Sequence, residues 1–239
     1  MNIGRRYPFI VALDGPAGVG KSTLARRVAE ALGVAYLDTG AMFRTVALHV
    51  AKSLGSPGSV SAVESPAEGP ELQTLLEQCL FSLQGVGDQT RLLCNGRVVG
   101  DEIRSEEAGM MAAKIAQTPQ VREFLKQAQQ RLGKDFSLMA EGRDMGTVVF
   151  PEAVCKIFLD ATPEVRAMRR YRQLQDMGEA ADLAALTERI RLRDNEDRSR
   201  AIAPLRPAED AHIIDTSHAD MDQVFALIMQ AVEQSYERP

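Results

Sequence analysis

Gly15-Pro16-Ala17-Gly18-Val19-Gly20-Lys21-Ser22-Thr23 fits the spacing G-x-x-x-x-G-K-[ST]. Residues of these types at this spacing can cradle phosphate. The glycines let successive backbone N–H groups turn inward, the Lys21 ammonium reaches the β- and γ-phosphates of a nucleotide, and the Ser22 hydroxyl can ligate Mg²⁺. The flanking residues supply the context that a Gly-rich turn with an incidental lysine would lack. Pro8-Phe9-Ile10-Val11-Ala12-Leu13-Asp14 is an almost unbroken apolar run, as a strand covered on both faces would be. Downstream, Leu24, Val28, Ala29 and Leu32 recur at helical spacing, so the loop opens a helix whose N-terminal dipole favours an anion.

A second set of residues could hold a second anion. Arg44, Arg143 and Arg200 come from remote points of the chain, and if they converge they can grip an acceptor phosphate opposite a donor bound at Lys21. Arg193, Asp197 and Arg200 stand at i, i+4 and i+7, hence on one helix face. Nine arginines and no lysine fall between Arg166 and Arg200, which suits bidentate binding of phosphate. Acidic residues in the same segment nearly cancel that charge, so a solvated, salt-bridged helix pair is the alternative reading.

These side chains need an α/β scaffold. At 239 residues the chain is long enough for one large α/β domain carrying an insertion. After the first helix, residues 33–38 read as a second strand and 41–54 as a helix. Residues 55–70, rich in Gly, Ser and Pro, read as a linker or loop. From about Cys79 to Val99 the period changes to that of short strands, at 80–83, 91–94 and 97–99. Asn95-Gly96 is a hairpin signal, so a three-stranded antiparallel meander is expected. Helices follow at 105–117 and 119–132, the second with Thr118 as N-cap and Pro119 at its first position. Further strands are expected at 136–140, 154–159 and 211–215, with a loop at 141–147 after the first of them. Thr162-Pro163 starts a long helix that Gly178 breaks; helices at 182–197 and 221–237 complete the set. Five strands alternating with helices imply a parallel sheet with ligands at the strands' carboxyl ends. Asp38-Thr39, Glu141-Gly142-Arg143-Asp144 and the arginine helices after Asp160 would all gather there.

Composition excludes other classes. No apolar run approaches the ~20 residues of a membrane span, and the start, Met1-Asn-Ile-Gly-Arg-Arg, lacks the pattern of a signal peptide, so a cytoplasmic location is expected. The net charge of -5 argues against a general nucleic-acid binder. Cys79, Cys94 and Cys155 show neither a disulfide framework nor metal spacing, and read as buried thiols. His49, His212 and His218 lie outside every motif.

Several motifs together resemble the bacterial cytidylate kinase family, nucleoside monophosphate kinases among the P-loop NTPases. They are the phosphate loop, Leu37-Asp38-Thr39-Gly40-Ala41-Met42-Phe43-Arg44, Val121-Arg122, Glu141 to Phe150, Lys156 to Asp160, and Arg193-Asp-Asn-Glu-Asp197-Arg-Ser-Arg200-Ala-Ile-Ala-Pro-Leu205. The resemblance spans nearly the whole chain, and the Glu141 and Arg193 runs are its most specific parts. It implies a three-layer α/β fold with a core domain of 1–54 and 119–239, an inserted nucleoside-monophosphate-binding domain at 71–118, and a helical lid at about 163–197. It implies transfer of the γ-phosphoryl group of ATP to CMP or dCMP, with Mg²⁺, by a monomer that binds neither nucleic acid nor membrane. Gly15 to Thr23 would hold ATP, assisted by Arg166 and Arg169. Lys21, Arg143, Arg200, Arg169 and Arg170 would stabilise the transferring group. Arg44, Arg143 and Arg200 would bind the CMP phosphate, with Thr39 beside them, while Phe43, Arg193 and Asp197 address the sugar. Ser22 and, less directly, Glu141 would serve Mg²⁺. Asp144 and Arg122 would read cytosine, the carboxylate accepting from the exocyclic amine and the guanidinium donating to N3 and O2. Uracil presents an acceptor where cytosine presents that amine.

A phosphotransferase with another acceptor, such as a different nucleotide or shikimate, is the nearest rival, and a nucleotide switch acting on a protein partner is the rival of another class. One position departs from the family pattern: Ala113 stands where a serine commonly helps to contact the base. A hydrogen bond of that kind is worth ~1 kcal/mol. Ala113→Ser is expected to raise the ratio of kcat/KM for CMP over UMP; an unchanged ratio in steady-state assays would remove any role for this position in base discrimination.

Overall fold

The computed structural model describes residues 8–53 and 69–236. The first half of the core alternates β1 (Ile10–Asp14), α1 (Lys21–Leu32), β2 (Ala35–Asp38) and α2 (Thr39–Ser53). Next come α3 (Pro70–Glu77), the short strands β3 (Phe81–Gln84), β4 (Arg91–Cys94) and β5 (Arg97–Val98), then α4 (Glu106–Ile115) and α5 (Pro119–Asp135). The chain returns to the core with β6 (Leu138–Gly142), β7 (Cys155–Asp160), α6 (Pro163–Asp176), α7 (Leu183–Ser199), β8 (His212–Asp215) and α8 (Met221–Tyr236).

Strands β2-β6-β1-β7-β8 form one parallel sheet, and β3-β4-β5 a separate antiparallel meander. Alternation along each central strand explains the three layers. Ala12, Leu138 and Ala140 face one apolar cluster with α2, α4 and α5, while Val11, Leu13 and Met139 face another with α1 and α8. Strands buried on both faces read as continuous apolar runs, which is why β1 stood out in the sequence. The same alternation sends Glu141 to the side of Met139, toward α1. A third, smaller cluster of Ala167, Leu174 and Leu186 joins α6 to α7, with Gly178 at φ 76° in the turn between them.

The boundaries differ from the sequence reading at several points. Strand β6 begins at Leu138 and runs on through Gly142, so Glu141 is a strand residue with fixed pairing rather than part of a loop. Met145–Val149 is a π-helical turn. Helix α3 was masked in the sequence by the Pro- and Gly-rich residues before it; Pro70 is its first residue, where a missing N–H costs nothing. Thr118 occupies the N-cap of α5 but is buried and makes no side-chain cap bond, unlike Ser105 and Thr162, which accept from Ala108 and Val165 N–H. Residues 54–68 of the expected helix end and linker, and Glu237, lie outside the described residues.

Asp14 ties the sheet to the turn beside it. Its two carboxylate oxygens accept from the N–H groups of Met145 and Gly146, each at 2.8 Å. Burial outweighs those bonds and pushes the Asp14 carboxyl up to about 6 from 3.8. A folded-state value above the unfolded one means that stability from this group is complete below pH ~4 and is lost as pH rises through 6. We expect the unfolding free energy of the wild type to fall by about 2 kcal/mol more than that of Asp14→Asn between pH 4 and pH 7. Parallel pH profiles from urea unfolding would refute the assignment.

Candidate active site

The phosphate loop leaves the carboxyl end of β1, the middle strand of the sheet. Gly15, Gly18 and Gly20 have φ of 151°, 76° and 95°. A Cβ at Gly15 would lie 2.3 Å from the Leu159 carbonyl oxygen, so only glycine lets the loop pass β7. Gly20 caps α1 without a side chain, and no acidic residue occupies the first turn, leaving its N–H groups and positive dipole end for an anion. Lys21 is buried and its Nζ donates to the Pro16 carbonyl at 2.7 Å. Burial, then the Arg143 charge, holds the Lys21 ammonium well below its ordinary range, with Glu141 and Asp14 opposing. A bound phosphate would favour the charged form.

Opposite the loop, a cavity of about 270 Å³ gathers the residues that the sequence placed far apart. Ala17, Gly18, Lys21 and Ser22 of the loop line it together with Thr39, Phe43, Arg44, Arg143, Arg193, Asp197 and Arg200. Gly15, Pro16, Val19, Gly20 and Thr23 shape the loop without lining this cavity. Carboxylates hold the arginines in place. Asp38 pairs with Arg44 at 3.1 Å, and Arg44 Nε remains buried without a hydrogen-bond partner. Asp197 lies between Arg143, whose Nε donates to it at 2.9 Å, and Arg200, at 3.1 Å. Burial works against the Asp197 charge, but Arg143 and Arg200 outweigh it and hold the carboxyl below the usual range.

At the far end, Arg122 and Asp144 pair at 2.7 Å and are both buried. A second bond, from Arg122 Nη1 to the Ala116 carbonyl at 3.1 Å, fixes the guanidinium, which lies 5.6 Å from the centre of the Phe43 ring. Burial pushes the Asp144 carboxyl up although Arg122, Arg200 and Arg143 pull it down. Gly109, Ala112, Ala113 and Ala116 form the small-residue wall beside this pair. The arrangement suits a planar ring with adjacent donors and acceptors.

Between loop and arginines stands Glu141. The Tyr36 hydroxyl donates to its Oε1, and Thr39 Oγ1 donates to its carbonyl at 2.7 Å. Its Oε2 is buried without a hydrogen-bond partner, and the Ser22 hydroxyl adjoins the carboxylate. Burial, then the neighbouring Asp38, pushes the Glu141 carboxyl up, opposed by Lys21. An unpartnered carboxylate oxygen beside a hydroxyl fits a hard cation that takes oxygen ligands.

Arg166, Arg169 and Arg170, expected to assist ATP or the transferring group, do not line the cavity. Arg166 is 1% exposed and its donors are engaged: Nε to the Ala161 carbonyl at 2.9 Å, Nη1 to the Ala17 carbonyl at 3.0 Å, and both Nη groups to Asp194. It therefore clamps the phosphate loop to α6 and α7, and in this arrangement its guanidinium faces protein groups rather than the cavity. Arg169 donates to the Thr216 hydroxyl and carbonyl, and Arg170 is exposed and donates to Gln173. Sequence reasoning placed Asp38 at the site without giving it a role and missed Tyr36 and Asp194; the three orient Arg44, Glu141 and Arg166. Their signal was position alone: Asp38 ends a strand as Asp14 does, whereas nothing in the sequence marks Tyr36 or Asp194.

The cytidylate kinase family model matches residues 11–234. The cytidylate kinase of Nitratidesulfovibrio vulgaris (strain Hildenborough) is 58% identical over 228 residues, covering 93% of this chain and 92% of that protein. The cytidylate kinase of Oleidesulfovibrio alaskensis is 56% identical, covering 94% and 98%, and that of Fervidobacterium nodosum is 43% identical, covering 94% and 96%. With a phosphate loop facing a set of carboxylate-held arginines in one cavity, and these matches along nearly its whole length, the chain belongs to the cytidylate kinase family.

Proposed function

We propose that the protein transfers the γ-phosphoryl group of ATP to CMP or dCMP, giving CDP or dCDP and ADP. One observation carries this reading: Lys21, the Arg44, Arg143 and Arg200 set, and the Arg122–Asp144 pair all line the same cavity. A nucleotide switch has no use for the second anion grip or for the base-sized end.

Lys21 and the first-turn N–H groups of α1 hold the donor phosphates. Arg44, Arg143 and Arg200 hold the acceptor phosphate, and Arg193 and Asp197 address the sugar beside Phe43. Asp144 accepts from the cytosine amine while Arg122 donates to N3 and O2; an acceptor at that ring position, as in uracil, would face the carboxylate. Ser22 and Glu141 would hold Mg²⁺, which supplies charge neutralisation on the donor phosphates when bound. An acceptor phosphate oxygen attacks the γ-phosphorus in line as the bond to the ADP oxygen breaks. No general base is needed, because a phosphate monoester with a second pKa of ~6 is already largely dianionic at pH 7. Positioning and charge stabilisation supply the rate.

We read α6 and α7 as the lid, residues 71–118 as the inserted nucleoside-monophosphate-binding domain, and 1–54 with 119–239 as the core. The separate cluster of Ala167, Leu174 and Leu186 lets the helix pair move as a unit. Closure brings Arg169 and Arg170 toward the transferring group, with Arg166 a positioning residue. We read the protein as a monomer acting on free nucleotides in the cytoplasm. Among the described residues no helix is long and apolar enough to cross a membrane.

Purified protein with ATP, Mg²⁺ and CMP or dCMP should form the diphosphate, with UMP, AMP and shikimate as poorer acceptors; absence of CDP and dCDP would reject the reading. Arg143→Ala should lower kcat/KM for CMP about 10²–10³-fold, as loss of a transition-state charge contact does. A normal far-ultraviolet circular dichroism spectrum would separate this loss from misfolding.

A further inference from the structure

Cys79 and Cys94 lie in the small sheet, and neither lines the nucleotide cavity. Cys79 stands two residues before the first residue of β3, and Cys94 is the last of β4. The ladder pairs Phe81 with Cys94 and continues one step: Asn95 N–H donates to the Leu80 carbonyl at 2.9 Å, and Leu80 N–H to the Asn95 side-chain oxygen at 2.9 Å. Side chains alternate along a strand, so Cys79 and Phe81 project from the face that carries Cys94. The two cysteines are thus diagonal neighbours, Cys79 inside an apolar cluster and Cys94 packed against it. Cys79 is buried and Cys94 partly exposed.

Their sulfurs interact directly. The Cys79 thiol donates to the Leu75 carbonyl at 3.9 Å and adjoins the Cys94 sulfur; this neighbour and burial push Cys79 up, while the Cys79 thiol lowers Cys94 from its usual range. The accessible sulfur is therefore the one with thiolate character, and the buried thiol lies behind it. A pair so arranged has an attacking and a resolving member.

We propose that Cys79 and Cys94 are an oxidative modification site, forming a reversible intrachain disulfide when the protein meets a hydroperoxide. The Cys94 thiolate attacks one oxygen of hydrogen peroxide; the O–O bond breaks, water leaves after taking up a proton, and Cys94 becomes a sulfenic acid. The Cys79 sulfur, giving up its proton, then attacks the Cys94 sulfur. The S–S bond forms, the S–O bond breaks and a second water departs. Two thiols are oxidised by two electrons and one peroxide is reduced to two waters. Cys155 is buried in the cluster on the opposite face of the main sheet and takes no part.

Treatment of the full chain with hydrogen peroxide tests this. Titration in denaturant should fall from three free thiols to one, and proteolysis after Arg91 should yield two peptides, one with Cys79 and one with Cys94, joined by a bond that dithiothreitol cleaves. In Cys79→Ser the sulfenic acid at Cys94 should persist and be trapped by dimedone. Three surviving thiols, a disulfide that includes Cys155, a cross-link between chains, or conversion of wild-type Cys94 to sulfinic acid would each overturn the proposal. These readouts are thiol chemistry, so they stand whether or not the protein phosphorylates CMP.

Discussion

The structure depends on burying charged groups side by side at the carboxyl ends of β1, β2 and β6. Asp14, Lys21 and Glu141 are all nearly inaccessible to water there, and parallel pairing sets Asp38 opposite Glu141 and Leu13 opposite Glu141 across the sheet. Such a cluster is costly unless each member finds a partner. The fold supplies most of them. Asp14 takes two backbone N–H groups, Glu141 takes the Tyr36 hydroxyl, and Lys21 takes the Pro16 carbonyl. What is left incomplete, the Glu141 Oε2 and the first-turn N–H groups of α1, faces the place where the donor phosphates would lie.

The arginines follow the same logic at longer range. A guanidinium pointing freely into water would lose rotamer entropy on gripping a phosphate, about 2 kcal/mol for a long side chain. Here Asp38, Asp197 and Asp144 already hold Arg44, Arg143, Arg200 and Arg122 in the cavity wall. The carboxylates thus position the arginines before any ligand arrives, and they leave donors free for one. Arg166 shows the extreme case. Its donors are so fully engaged with Asp194 and two carbonyls that it serves as a tie between loop and helices.

Much of this could be read from the chain because local chemistry forces it. Unbroken apolar runs marked strands buried on both faces, the Asn95-Gly96 pair marked the meander, and Pro163 after Thr162 marked the start of α6. Errors fell where local signals compete with tertiary ones. The Pro- and Gly-rich composition before Pro70 concealed α3, and Thr118 carried a capping residue's identity into a buried position where its side chain caps nothing. Glu141 looked like a loop residue because it is charged, yet pairing with both Leu13 and Asp38 keeps it in β6.

The phosphate loop was determined by sequence alone, since three glycines, a lysine and a hydroxyl at fixed spacing admit few other conformations, and Gly15 beside the Leu159 carbonyl leaves room for no other residue. Residue type alone made Arg44, Arg143 and Arg200 candidates, whereas Arg122 and Asp144 were named only through the family resemblance, and their pairing came from the structure. Only the tertiary structure decided which of them share a cavity and which are held away from it, because that depends on strand order. Placing β1 between β6 and β7 brings Arg143 to face Lys21, and packing α6 on the loop removes Arg166 from solvent. Partners such as Tyr36, Asp194 and the facing thiols of Cys79 and Cys94 are separated along the chain from what they touch, and no spacing rule connects them before the fold does.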